Sequence, residues 1–519
     1  MIKNHRILPA VLIFLTVGLL FSGCDGENAQ NNRPETPGSG ETDINSPADF
    51  AKQIESADET AAPDLPEMDF GGNEIKFLVK EEGGGITRWT SVEVYAEELN
   101  GELINDAVYM RNIAIEEKYN TKITREYMPA GGANSFDMFR KIDTLVLAAD
   151  DTYDIVMPTL EDSARMAQEG IYINLNALPY IDLSKQWWNQ KILETTALND
   201  KAFFATGDIS LLSMQATYTM LFNKAAHQML ALEDMYQVVR DGRWTIDKLL
   251  EMGKSYAADL DSDGVINDLD RSGLVCIYNL CRSLYAASGE KLIDITPDGA
   301  FELTVKNPRS IDVLNKIFEL FEQRGKSVFI TSDDKIRSAA VKGMDHVNLG
   351  AQVFAGGGAL FLMGTMQNVP YMREMETDFG IIPLPKYDEK QKNYNSFVHT
   401  WAASSCGILI TAKNPERSAL ILEEMAYQSM KSVTPVYYDL SLKTKFARDE
   451  ESSEMLDLIF KNRVCDLGYL YNIGGFVTGL EDLMYVKRQN SFVSFIEANE
   501  GKARGELDKI IESYAKINQ

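Results

Sequence analysis

The chain has 519 residues, 45% of them hydrophobic and 25% charged, with a formal net charge of −26. That composition is ordinary for a globular protein with large cores, and length alone suggests roughly three domains at ~150 residues each. The acidic balance argues against a nucleic-acid partner, which needs a basic surface, and gives no support to a peripheral grip on anionic lipid.

Lys3, His5 and Arg6 open the chain, and an apolar run from Ile7 to Leu20 follows, ending in Phe21-Ser22-Gly23-Cys24. A basic start, a short apolar stretch and a small-residue cleavage site read as a secretory signal over residues 1–23. The run is shorter than the roughly 20 apolar residues that a membrane-spanning helix needs. Small residues just before a cysteine resemble the bacterial lipobox. That resemblance implies cleavage before Cys24, acylation of its thiol, and a protein tied to the outer face of the cell membrane. Phe21 stands where the pattern usually has Leu. At about 0.8 kcal/mol per buried CH₂, two or more acyl chains anchor a protein firmly. Residues 24–71 then read as an acidic, polar tether, clearest in NNRPETPGSGETD, too poor in apolar area to offset the entropy of ordering.

Order is expected from about Glu74. Ile75, Phe77 and Val79 alternate as in a strand. Ile104, Val108, Ile115 and Tyr119 share a helical face, with Asn105 as the expected cap. Lys122 to Tyr127 reads as a strand, Phe136 to Val146 as a helix, and Tyr153 to Met157 as a short buried strand. Strand, helix, strand, helix, strand predicts a parallel sheet covered on both faces. Tyr218 to Lys224 is apolar and then abruptly polar, and a mostly helical region is expected to about Arg373. Asp378 to Lys386 reads as a strand stopped by Pro383 and Pro385, which cannot donate ladder hydrogen bonds. Cys406 to Thr411 reads as another strand, and Glu416 to Met430 as a helix opened by Asn414-Pro415. The C-terminal region is expected to be largely helical. Of the five cysteines, Cys276 and Cys281 are close enough to pair across a turn, though free buried thiols are the preferred reading.

Several segments, in order, resemble extracellular solute-binding proteins of family 1, the sugar-type capture subunits of ABC importers. They are Ile104–Ile123, Tyr153–Gly170, Gly207–Lys224, Gly242–Tyr256 and Asp378–Tyr394. The resemblance implies a type II periplasmic-binding-protein-like fold, with two α/β lobes around a ligand cleft. It places lobe 1 at 72–220 and 378–432, and lobe 2 at 221–377 and 433–519. It also implies hinge closure on a ligand, a membrane permease as partner, and a monomer.

The sharpest local motif is DLDSDGVINDLD, Asp259 to Asp270. Carboxylates fall at positions 1, 3, 5 and 12 of the loop and Gly264 at 6, which is the EF-hand spacing for Ca²⁺. Asp259, Asp261, Asp263 and Asp270 would give side-chain oxygens and Val265 its carbonyl. Asp270 replaces the usual Glu, and the expected role is structural, pinning the loop between two helices. The alternative is an acidic surface turn without metal.

Sugars present apolar C–H faces and a rim of hydroxyls, so aromatic rings and polar side chains are the candidate contacts. Among five tryptophans, Trp89 follows a Gly-rich loop and Trp401 precedes the small residues AASSCG. Either could touch ligand or pack. One of Trp187 and Trp188 is expected in a core and the other could be exposed, while Trp244 reads as packing. The polar candidates are Arg88, Asp162 beside Glu161 (both also able to cap a helix), Asp208, Tyr471 and Asn472. His227, His346 and His399 show no metal spacing and read as surface or packed residues.

The sequence lacks a G-x-S-x-G, an H-E-x-x-H and a P-loop. Together with the anchor and the tether, the family resemblance implies a binding subunit that takes a carbohydrate, an oligosaccharide first of all. A binder of peptide or another polar solute, a cell-surface glycoside hydrolase and a ligand sensor stay open as alternatives.

Overall fold

Ile75, Phe77 and Val79 do alternate along a strand, β1 (Asn73–Glu81), and all three are fully buried on one face of a sheet. The computed structural model describes residues 62–81, 89–129, 137–198, 200–296, 300–373, 375–438 and 449–517. The stretch read as a secretory signal, Cys24 and Arg88 lie outside these residues. Helix α1 (Leu103–Tyr119) follows and buries Val108, Ile115 and Tyr119. Its cap differs from expectation: the helix starts at Leu103, Glu102 precedes it without a capping bond, and Asn105 lies inside. The Asp106 carboxylate takes the amides of Asn100 and Gly101 instead.

Next come β2 (Thr121–Pro129), α2 (Asp137–Leu147), β3 (Ile155–Met157) and α3 (Leu160–Gln168). Both β2 and β3 pair parallel with β1, as the alternation of strand and helix predicts. Leu65 and Phe70, inside the stretch read as tether, pack against this sheet's core, and Phe70 donates its amide to Tyr119.

The second sheet is built from β4 (Tyr218–Asn223), β5 (Ser272–Cys276), β6 (Val328–Ile330), β7 (Ala359–Thr365) and β8 (Phe379–Ile382). Its order is β8-β4-β7-β5-β6. Strands β5, β6 and β7 run parallel, and β4 is antiparallel to both of its neighbours. Three of these strands lie in the region read as mostly helical. They are short and fully apolar or small, a pattern that periodicity cannot tell from buried helix. Phe379–Ile382, assigned above to lobe 1, is hydrogen-bonded into this second sheet. Helix α4 (Ile246–Tyr256) precedes β5, α5 (Leu280–Ala287) follows it, and α6 (His346–Ala355) precedes β7. Gly273 lets β5 approach the α4 backbone at Gly253, where a Cβ would meet main chain. Strand β9 (Gly407–Ile408) returns to the first sheet, antiparallel to β3.

The fold is thus two-lobed and α/β. All described residues fall in one compact unit, and three segments run side by side where the lobes join. Thr217 bridges Val398, His399 donates its amide to Ala216, and Val398 donates to Val464. None of the helices among the described residues is long and apolar enough to cross a membrane. Cys276, Cys281, Cys406 and Cys465 are free and buried.

Helix α7 (Pro415–Gln428), capped by Asn414 as expected, carries the most consequential buried group of lobe one. Glu423 accepts the indole N–H of Trp187 at 3.1 Å and of Trp188 at 3.0 Å. Both tryptophans are therefore core, at 0% and 1% exposure, against the expectation that one could be exposed. Adjacent indoles would ordinarily point to opposite sides, but one carboxylate with two oxygens satisfies both donors. Burial pushes the Glu423 carboxyl up to about 7, against the opposing pull of the two indole donors. Burial likewise lifts Asp466 to about 7, although the amides of Leu292 and Gly468 donate to it.

Between 4.5, the ordinary value of a glutamate, and about 7, folded Glu423 holds a proton that the unfolded chain has released. Stability from this group is therefore full below that window and falls as pH rises through it. The denaturation midpoint is expected to drop across the window, and Glu423→Gln to flatten part of the drop, in urea melts run at a series of pH values. Glu423→Leu strands two indole donors and is expected to cost about 2–5 kcal/mol in the same melts.

Candidate functional site

Parallel strands release their connections at their carboxyl ends, so side chains from several loops gather at one edge of each sheet. Here the edges of the two sheets face a shared cavity of about 460 Å³. From lobe one, Trp89 arrives after β1 and Glu161 after β3, at the start of α3. From lobe two, Cys276 to Asn279 follow β5, Arg282 lies in the first turn of α5, Thr331 follows β6, and Met363 to Thr365 end β7. Asp345 and His346 come from the start of α6, and Tyr218, His399 and Trp401 from the segments that join the lobes.

The aromatic rings form a continuous wall. His399 stacks on Tyr218 with ring centres 5.8 Å apart and planes 16° from parallel, and lies 5.9 Å from Trp401. Such faces suit C–H surfaces. The guanidinium that lines the cavity is already paired. Arg282 donates two 2.7 Å hydrogen bonds to Glu481. Burial alone would lower Arg282, but Glu481 and Glu161 outweigh it and hold the guanidinium firmly charged. Glu161 accepts the Thr400 hydroxyl at 2.6 Å, and burial raises its carboxyl despite that bond and the nearby Arg282.

Asn279 meets Nε2 of His399 at 3.4 Å through its amide nitrogen. With that amide donating, the imidazole proton sits on Nδ1. Neither His399 Nδ1 nor the Asn279 carbonyl oxygen has a partner among the described residues, although both are buried. Burial, then the charges of Arg282 and Lys80, push His399 down to about 3. The site therefore offers aromatic faces, one neutral imidazole and buried donors and acceptors, a set suited to a polar, uncharged solute.

Of the residues singled out in the sequence, Trp89 and Trp401 come together here. Asp162, one residue beyond Glu161, does not reach the cavity. Its amide donates to Thr159, the residue that caps α3 in place of Glu161 or Asp162. Asp208 borders a separate cavity of about 280 Å³ with Trp187, Trp188 and Arg463, and burial pushes it up to about 6. Tyr471 donates to the Ala164 carbonyl and meets the Tyr514 hydroxyl. Asn472 takes a left-handed backbone (φ 47°), and its side chain accepts the amides of Val477 and Thr478, closing a turn. Trp244 is fully buried and donates to the Pro383 carbonyl, as expected of packing.

His346 and His399, read as surface or packed residues, line the cavity, whereas His227 is packed. Tyr218, Asn279 and Arg282 were missed as well. The last two follow β5, so recognising Ser272–Cys276 as a strand would have pointed to them.

The acidic loop runs from α4 to β5 rather than between two helices. Asp259, Asp261 and Asp263 each bring a carboxylate oxygen within 4.8 Å of the others, and all three are exposed. Gly264 has φ +85°, the left-handed turn expected of it. Two of the five expected ligands lie differently. Asp270 is only 3% exposed and accepts the amides of Leu260 at 2.7 Å and Asn267 at 3.0 Å. The Val265 carbonyl accepts the Asn267 side-chain amide. The Asp263 amide lowers Asp261, but slight burial and the charges of Asp263, Asp270 and Asp259 hold it above its usual value. Hard oxygen donors under mutual repulsion fit a divalent cation such as Ca²⁺.

Comparison with known proteins is informative only at the level of the fold. None of the family models and none of the curated proteins matches the chain. Among solved structures, it is similar to the galacto-N-biose/lacto-N-biose I-binding protein of an ABC transporter from Bifidobacterium longum, in complex with lacto-N-biose. That match has a TM-score of 0.56 at 11% identity and covers 85% of this chain and 98% of that one. An ABC substrate-binding protein from Listeria monocytogenes in complex with cycloalternan matches at 0.51 and 12%, covering 84% and 99%. UgpB from Mycobacterium tuberculosis in complex with glycerophosphocholine matches at 0.52 and 17%, covering 77% and 94%. The fold is the two-lobed α/β fold of periplasmic binding proteins.

Folded His399 stays neutral while an unfolded histidine protonates near 6.5, so its contribution to stability falls as pH drops below 6.5. Its imidazole resonances are expected not to titrate between 6.5 and about 3, as followed by NMR on the folded protein with His399→Gln as the assignment control.

Proposed function

We propose that the chain is a lipid-anchored, extracytoplasmic binding subunit of an ABC importer that captures a carbohydrate, first of all an oligosaccharide, and hands it to a membrane permease. The observation that carries this reading is the cavity between the strand ends. There Trp89, Trp401, Tyr218 and His399 offer ring surface, while buried hydrogen-bonding atoms of Asn279 and His399 lack partners among the described residues. A sugar supplies both a C–H face and hydroxyls. The similar structures from Bifidobacterium longum and Listeria monocytogenes, bound to lacto-N-biose and cycloalternan, support the same ligand class. The internal pairing of Arg282 with Glu481 leaves a neutral solute as the better fit and favours binding over catalysis.

Acylation at Cys24 and the polar stretch after it would act as a leash, raising the local concentration of loaded binder beside its permease. The loop at Asp259, Asp261 and Asp263 would hold Ca²⁺, with Asp270 and the Val265 carbonyl drawn in as the loop tightens. Calcium there would brace the join between α4 and β5, away from the cavity residues.

Thermal shift against a glycan panel tests the ligand class. Ligand at 100 times its Kd is expected to add about 2.7 kcal/mol of stability. Trp401→Ala and Trp89→Ala are each expected to weaken binding about tenfold, measured by calorimetry. A panel in which no glycan shifts the melt counts against the carbohydrate reading. Chelation is expected to lower the melting temperature and leave glycan affinity unchanged; a melt indifferent to chelator would remove calcium from the scheme.

A further inference from the structure

Lys80 is 0% exposed, the least expected state for a lysine in the interior of a sheet. It sits on β1 two residues after Leu78, on the face opposite Phe77 and Val79. Its ammonium donates to the Ala402 carbonyl at 3.3 Å. It also lies 5.3 Å from the Trp401 ring centre and 6.0 Å from that of Trp89. These are the two tryptophans of the cavity, and Lys80 does not itself line it. Asp162 is buried at the start of α3, and burial raises its carboxyl against the opposing charge of Lys80.

A buried ammonium is expensive unless its surroundings replace water. A leucine or methionine would fill the same space at no such cost. Among the described residues, the groups that stand in for water include two π faces and one carbonyl. A cation between two indoles attracts the negative faces of both rings and so constrains their orientation, not merely their burial.

We propose that Lys80 is a positioning residue, a cation clamped between Trp89 and Trp401 that fixes the two rings as a pre-oriented pair of ligand faces. This rests on the reading of the cavity as a glycan site and deepens it. Rings ordered during folding need not be ordered during binding, which strengthens binding without adding a contact.

The test has one arm that needs no ligand. Acrylamide quenching of tryptophan emission is measured on the full-length protein, with Trp89→Phe and Trp401→Phe assigning the two signals. Trp187, Trp188 and Trp244 are buried and form the constant background. Lys80→Met is expected to increase quenching of Trp89 and Trp401, and Lys80→Arg to restore it at least in part. In the second arm, Lys80→Met is expected to weaken affinity about tenfold for whichever panel glycan shifts the wild-type melt, with rescue by Lys80→Arg. Should Lys80→Met not fold, Lys80→Gln, which removes the charge but keeps a polar end for the Ala402 carbonyl, carries the same readouts. Unchanged quenching overturns the clamp, whatever the affinity does. If no glycan binds the wild type, the carbohydrate reading fails while the quenching arm still decides the clamp.

Discussion

A parallel strand can be followed by another only if the chain leaves its carboxyl end and crosses back over the sheet. That topological constraint puts the loops after β1 and β3 at one edge of the first sheet, and those after β5 and β6 at one edge of the second. The joining segments around Thr217, Val398 and Val464 lie side by side and bring the two edges to one cavity. Trp89, Glu161, Asn279, Arg282 and Trp401 come from distant parts of the chain, yet each occupies a position that this connectivity assigns. The cavity is therefore a property of the fold, and its chemistry is a property of the side chains at the strand ends.

Charge is handled in opposite ways on the surface and inside. With a net charge of −26, the exterior is solvated and acidic. Inside, almost every ionisable group has a dedicated partner: Glu423 the two indoles, Asp466 two backbone amides, Arg282 the Glu481 carboxylate, Lys80 two rings and a carbonyl. Removing one partner from such a set costs more than the pair contributes, because the remaining group stays buried and unsatisfied. Among these groups, Glu423 ties α7 to the loop that carries Trp187 and Trp188, and the Arg282–Glu481 pair joins two helices. Their cost also appears as pH dependence, with Glu423 and Asp466 carrying a proton into the neutral range.

Much of lobe one was legible in the sequence because its strands alternate and its helices are amphipathic. Ile75, Phe77 and Val79 marked β1, and Asn414-Pro415 marked the start of α7. Lobe two was harder. Strands β5, β6 and β7 are short, buried on both faces and free of polar alternation, so they look like stretches of core helix. Missing β5 meant missing Asn279 and Arg282, whose meaning comes only from their place after a strand end. Trp89 and Trp401 were legible because a tryptophan beside a glycine-rich or small-residue stretch is conspicuous. Asp208, Tyr471 and Asn472 were chosen by the same logic of local context. Their three-dimensional neighbours — Thr434 and Arg463, Ala164 and Tyr514, Val477 and Thr478 — show them bonded elsewhere. The partnership of Glu423 with both tryptophans spans more than 230 residues and leaves no local trace.

The central claim is that the aromatic cavity between the two lobes receives a sugar. A crystal structure of the protein with a panel glycan tests it most directly. The saccharide is predicted to lie between the lobes with its C–H face on Trp401 or Trp89 and a hydroxyl on Asn279 or His399. A glycan bound outside this cavity, or seated in it without contact to either tryptophan, would contradict the claim.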